Sequence, residues 1–120
     1  MTEQYAQDKP KFDYLNEVTD NNQEIISQIV ALFLQEAPKD ISQLVDLCNK
    51  ENWEATGKQA HKMKSSVGNF GLTSLKELFF AIEQAGKQQT ETEKIPEWVA
   101  QANERMLKVI AELKAQFNLS

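Results

Sequence analysis

The chain holds one histidine, His61, and one cysteine, Cys48, so its routes to side-chain chemistry are few. A single Cys excludes an internal disulfide and a Cys-based zinc site, and no Gly-rich phosphate loop is present. What stands out is an imidazole inside a local basic cluster, Lys58, Lys62 and Lys64. Imidazole can serve as nucleophile, general base or metal ligand. A metal-binding bundle would need several inward carboxylates and histidines, typically as Glu-x-x-His pairs, and His61 has no such partner.

The residues around His61 predict a helix from about Trp53 to Asn69. Thr56, Ala60, Met63, Val67 and Phe70 recur at steps of four and three, the spacing of a core-facing stripe. At about 100° per residue, His61 lies roughly 140° from the centre of that stripe and should face solvent or a partner. Gly57 is one turn before it, Ser65 one turn after and Gly68 two turns after. A Gly inside a helix costs about 1 kcal/mol relative to Ala. Two on one face that is expected to be exposed suggest a flat surface that a partner can approach closely, with Lys58 beside it. Lys64, three residues on, is placed to set its ammonium beside negative charge gathering on the ring.

A carboxylate can be placed near the ring from the turn that follows. If the turn centres on Gly71 and Leu72, an antiparallel hairpin sets Leu75 opposite Val67 and Phe79 near Met63. His61 is then level with Ile82 or Glu83. Leu75, Leu78, Phe79, Ile82 and Ala85 form the next helix's apolar stripe, with Glu83 at its margin. From there Glu83 either accepts from the imidazole Nδ1–H, leaving Nε2 as the free nucleophile, or forms an ordinary surface pair with Lys87.

The elements that must hold these groups are helical. In 120 residues there are only four Gly and three Pro, and no segment reads as a convincing strand. Residues 1–11 read as a loose arm and Phe12 to Val18 as a short helix. Asn21 and Glu24 have the spacing of a capping box. Behind it Ile25, Ile29, Leu32 and Phe33, with Ile26, Val30 and Ala37 alongside, predict a helix that Pro38 interrupts. Ile41, Leu44, Val45 and Cys48 mark another stretch, ending at Asn49 to Asn52. Further helices are expected from about Ser74 to Gly86 and from about Pro96 to Phe117, with a polar linker at residues 88–93. Short connections make an all-α, up-down antiparallel four-helix bundle with an additional N-terminal helix, a single domain over residues 12–120.

Composition narrows the partners. A formal charge of −5 argues against nucleic acid, which demands accumulated basic side chains. The longest apolar run, Ile29 to Leu34, is far too short to span a bilayer, and the start lacks the character of a signal peptide. A cytoplasmic chain with no membrane contact is expected.

The run Ala60-His61-Lys62-Met63-Lys64-Ser65-Ser66-Val67-Gly68-Asn69-Phe70-Gly71, followed by Leu75, Phe79, Ile82 and Glu83, resembles the histidine-containing phosphotransfer (HPt) family. The likeness covers roughly residues 12–117. Ser65 stands where the family most often has Gly, and Phe70 where Leu is commoner. The resemblance implies a helical bundle whose His61 accepts a phosphoryl group from a receiver-domain aspartyl phosphate and passes it to another receiver aspartate. It implies no ATP site, no kinase activity and no cofactor in this chain, with Mg²⁺ on the partner receiver. Response-regulator receivers and a hybrid sensor histidine kinase would be its partners, and a monomer its state. Two other readings stay open. One is a helical protein–protein adaptor in which His61 is incidental. The other is the detached phosphotransfer domain of a chemotaxis-type kinase.

Overall fold

The computed structural model describes residues 9–117, so most of the expected N-terminal arm lies outside the described residues. Five α-helices follow one another: α1 (Asp13–Val18), α2 (Gln23–Asn49), α3 (Trp53–Gly68), α4 (Thr73–Gln88) and α5 (Ile95–Gln116). A single 3₁₀ turn, Thr92–Lys94, leads into α5, where Pro96 sits in the first turn and needs no N–H. Among the described residues there is no strand. Helices α2 to α5 form a closed ring, each packed on its two neighbours, and short loops set successive helices antiparallel. The all-α bundle with an added N-terminal helix is therefore the observed architecture.

The core follows from the apolar stripes. Ala60, Met63 and Val67 of α3 meet Leu75, Leu78, Phe79, Ile82 and Ala85 of α4, all buried. Helix α5 contributes Val99, Ala102, Met106, Val109 and Leu113. One end of the bundle is closed by aromatic rings. Phe70, in the α3–α4 turn, packs on Phe33 with centroids 4.9 Å apart and on Phe12 at 6.0 Å, and Phe12 meets Phe117 at 5.5 Å. Lys11 N–H donates to the Phe70 carbonyl at 2.7 Å, which ties the start of the described chain to that turn. The turn needs Gly71, whose φ of +64° is left-handed.

Three details of α2 correct the sequence reading. Pro38 does not interrupt it: the helix runs 27 residues through that position. The ring lies on the exposed side, where the carbonyl that it leaves without a donor can turn to water, while Ala37 and Ile41 on the inner side keep their packing. The buried stripe is Ile26, Val30, Phe33, Ala37, Ile41, Leu44 and Cys48, and Ile25 and Leu32 are exposed. The start cap is Asn22, whose side chain accepts from Ile25 N–H at 3.1 Å, whereas Asn21 is left-handed and outside the helix.

A proline inside a helix costs about 3 kcal/mol, part of which is offset by the unfolded-chain entropy that proline removes. Pro38→Ala should therefore stabilise the fold by about 1–2 kcal/mol. Urea unfolding followed by circular dichroism checks this, and an unchanged or lower midpoint would mean that the helix has already absorbed the cost.

Candidate functional site

Helix α3 carries His61 on its open side, with the side chain 63% exposed. Its Nδ1 lies 2.7 Å from Oε2 of Glu83 on α4. The other carboxylate oxygen, Oε1, accepts from Lys64 Nζ at 2.8 Å. Glu83 thus joins the imidazole and the ammonium into one network, and these contacts replace the alternative pair with Lys87. An ionised carboxylate only accepts, so Nδ1 carries the proton, and in the neutral ring the lone pair is then on the exposed Nε2.

Lys64 is largely enclosed. Its side chain is 21% exposed and that of Glu83 14%. The ammonium also sits 4.9 Å from the centroid of Phe80, a half-exposed ring on α4. Phe80 is a part of the site that the sequence reading missed. The available signal was a large aromatic lying off the apolar stripe of α4. Burial raises the Glu83 carboxyl, but hydrogen bonds from Lys64 and His61, backed by their charges, outweigh it and hold the group below its ordinary value.

The other residues singled out from sequence divide. Lys58 and Ser65 are exposed on the His61 side, and Gly68, the last residue of α3, is partly exposed. Gly57 is not on the open surface and is corrected: it is buried against α4. A Cβ there would come 3.0 Å from the Glu83 carbonyl oxygen, because α4 passes that close. Lys62, a member of the basic cluster, is taken up by Asp40 of α2 at 3.0 Å. Gln59, buried on α3, donates to the Asp40 carbonyl at 2.9 Å. These two bonds set how α3 is rotated against α2.

One groove borders the imidazole and another lies away from it, between α2 and α3. The first, of about 400 Å³, is lined by Glu54, Gly57, Lys58, His61, Glu83 and Lys87, so two cationic side chains border the ring on that side. The second, of about 200 Å³, runs between α2 and α3 and is mostly apolar, with Ile29, Leu32, Phe33, Met63 and Phe70 in its walls. Among the described residues no group of three or more His, Cys, Asp or Glu is placed to hold a metal ion. Nor is any helix long and apolar enough to cross a membrane.

The low-titrating Glu83 makes a pH signature. In a carbon-detected NMR titration its carboxyl should titrate below the ordinary glutamate range, and Lys64→Met should move the midpoint upward. For a carboxylate depressed in the folded state, the stability contributed is present above the unfolded pKa and lost as pH falls through the folded value. The stability gap between wild type and Lys64→Met should therefore close in acid. A Glu83 midpoint unmoved by Lys64→Met would show that the pair does not hold the carboxylate.

A family model described as Hpt domain matches residues 28–116, more than half of the chain. No curated protein and no solved structure gives a significant match. The matched span includes α3, α4 and α5 whole, with most of α2, so it takes in both helices of the histidine hairpin. The chain belongs to the Hpt domain family.

Proposed function

We propose that the chain is a phosphorelay carrier, taking a phosphoryl group on His61 from a receiver-domain aspartyl phosphate and delivering it to the aspartate of another receiver. The observation that carries this reading is the 63% exposed imidazole whose Nδ1 is held at 2.7 Å by Glu83. In the accepting step the Nε2 lone pair attacks phosphorus in line. The P–O bond to the donor aspartate breaks, its carboxylate leaves with the electron pair, and the N–P bond forms. The ring then carries positive charge with Nδ1 still protonated, and the Glu83 carboxylate offsets that charge. Delivery to the next receiver is the reverse sequence with a different carboxylate.

The flanking residues have matching roles. Lys64 uses one of its N–H donors on Glu83, leaving two for arriving phosphoryl oxygens. Lys58 and Lys87 at the groove margin favour a partner with an acidic pocket, which is the character of a receiver. Ser65 and Gly68 keep the approach low, and the apolar groove between α2 and α3 completes the docking surface. The divalent cation of this chemistry, Mg²⁺, belongs to the receiver. The chain acts as a carrier without kinase activity, as a cytoplasmic monomer in a two-component system fed by a hybrid sensor kinase. The net charge of −5 argues against nucleic acid as the main partner.

Incubation with a phosphorylated receiver should label the wild-type chain with an acid-labile phosphate and leave His61→Gln unlabelled. Label persisting on His61→Gln would overturn the proposal, and receiver binding that ignores both label and substitution would mark the chain as an adaptor. Docking has a separate test. A Cβ at Gly68 would meet only the flexible Lys76 side chain, at 3.7 Å, so Gly68→Gln should fold normally. Its longer side chain should obstruct the receiver and slow transfer by at least about tenfold. Unchanged transfer rates would place the interface elsewhere.

A further inference from the structure

Helices α3 and α4 come into close backbone contact at two glycines. Gly57 lies one turn before His61 on α3, and Gly86 lies three residues after Glu83 on α4. Both are buried. A Cβ added at Gly86 would clash with the Trp53 carbonyl oxygen and stand 3.0 Å from both Cα and N of Gly57. One added at Gly57 would stand 3.0 Å from the Glu83 carbonyl oxygen, 3.2 Å from Lys87 N and 3.4 Å from Gly86 C. Each of these neighbours is backbone, so no side chain can swing aside. The helix itself would have to move.

The direction of that movement matters for the site. The first atom that a Gly57 methyl meets belongs to Glu83, the residue whose carboxylate holds the ring. Any methyl in this gap moves the Glu83 backbone away from α3. The 2.7 Å contact is at the short, charge-assisted end of the hydrogen-bond range, and a shift of the Glu83 backbone both lengthens it and turns it off line. Neither glycine touches the imidazole's free nitrogen or any place that a phosphoryl group would occupy. We infer that Gly57 and Gly86 are positioning residues, a backbone-on-backbone contact that brings Glu83 within reach of His61 Nδ1 and so selects the ring tautomer with Nε2 unprotonated. This rests on the carrier reading for its purpose, but the geometry can be tested without any phosphoryl transfer.

The cost of two glycines inside helices supports the assignment. Each gives up about 1 kcal/mol of helix propensity relative to Ala. With no Cβ to clash, Ala would be favoured at both positions. Gly68 shows the contrast: its Cβ position is open to within 3.7 Å of a side chain, so no backbone demands that glycine.

The test is the tautomer of the neutral ring, read from the ¹⁵N shifts of His61 in the unphosphorylated chain, alongside its rate of phosphorylation by a receiver. Wild type should be predominantly Nδ1–H. Gly57→Ala, the milder intrusion, should lower the Nδ1–H to Nε2–H ratio by about fivefold, the worth of one ordinary hydrogen bond, and slow phosphorylation in step. Gly86→Ala should do more, and if it fails to fold Gly57→Ala still decides the matter. In a Glu83→Ala background Gly57→Ala should change neither readout, because the contact acts only through that carboxylate. A folded Gly57→Ala with the wild-type tautomer ratio overturns the inference, as does an effect that persists without Glu83. The carrier reading stands or falls separately, on whether His61 takes the label at all.

Discussion

Glu83 accepts from His61 at 2.7 Å and from Lys64 at 2.8 Å, and both contacts depend on how closely α4 lies against α3. The carboxylate is mostly sheltered, so its charge must be met locally; an unpaired charge in such a place would cost several kcal/mol or titrate away. Lys64 meets that charge. With it in place, Glu83 stays ionised and can only accept, which forces the proton onto Nδ1 of His61. The reactivity of Nε2, on the far side of the ring, is thus set by an ion pair that it never touches. Phe80 adds a ring beneath the ammonium and confines it further.

The remainder of the bundle serves to hold one helix in one orientation. Helix α3 is fastened on its α2 side by directional bonds, Lys62 to the Asp40 carboxylate and Gln59 to the Asp40 carbonyl. On its α4 side it is fastened by apolar packing and by the glycine contact. Hydrophobic burial alone lets a helix roll by small angles, since dispersion is weak per contact and undirected. The polar pair on one side and the backbone contact on the other remove that freedom. The aromatic cluster around Phe70 then fixes the α3–α4 turn, from which the hairpin register runs.

Where sequence and structure part, one cause recurs: a helix's own pattern does not say which neighbours it has. Pro38 carries a real local penalty, but the apolar residues on both sides of it pack on the same partners and keep α2 in one piece. The α2 stripe is centred on Ile26 and Val30 rather than Ile25 and Leu32, because α3 and α5 choose which side of an apolar-rich helix is covered. Gly57 reads from spacing as part of an open face, since a helical wheel cannot show a second helix lying against that side.

The helical class, the existence of the α3 and α4 stripes and the outward aim of His61 were all legible in the chain, because a 3.6-residue period records which side of a helix is apolar. The hairpin register also came out of the sequence, since a short turn leaves two antiparallel helices little freedom, and it set His61 level with Ile82 or Glu83. Interhelical distance was not legible. Whether Glu83 turns to the ring or to Lys87, whether Lys64 is exposed or enclosed, and whether a glycine faces solvent or backbone each depend on a few ångströms between α3 and α4. That separation is fixed by two buried glycines acting together, and neither one can be recognised as half of a contact until the helices are packed.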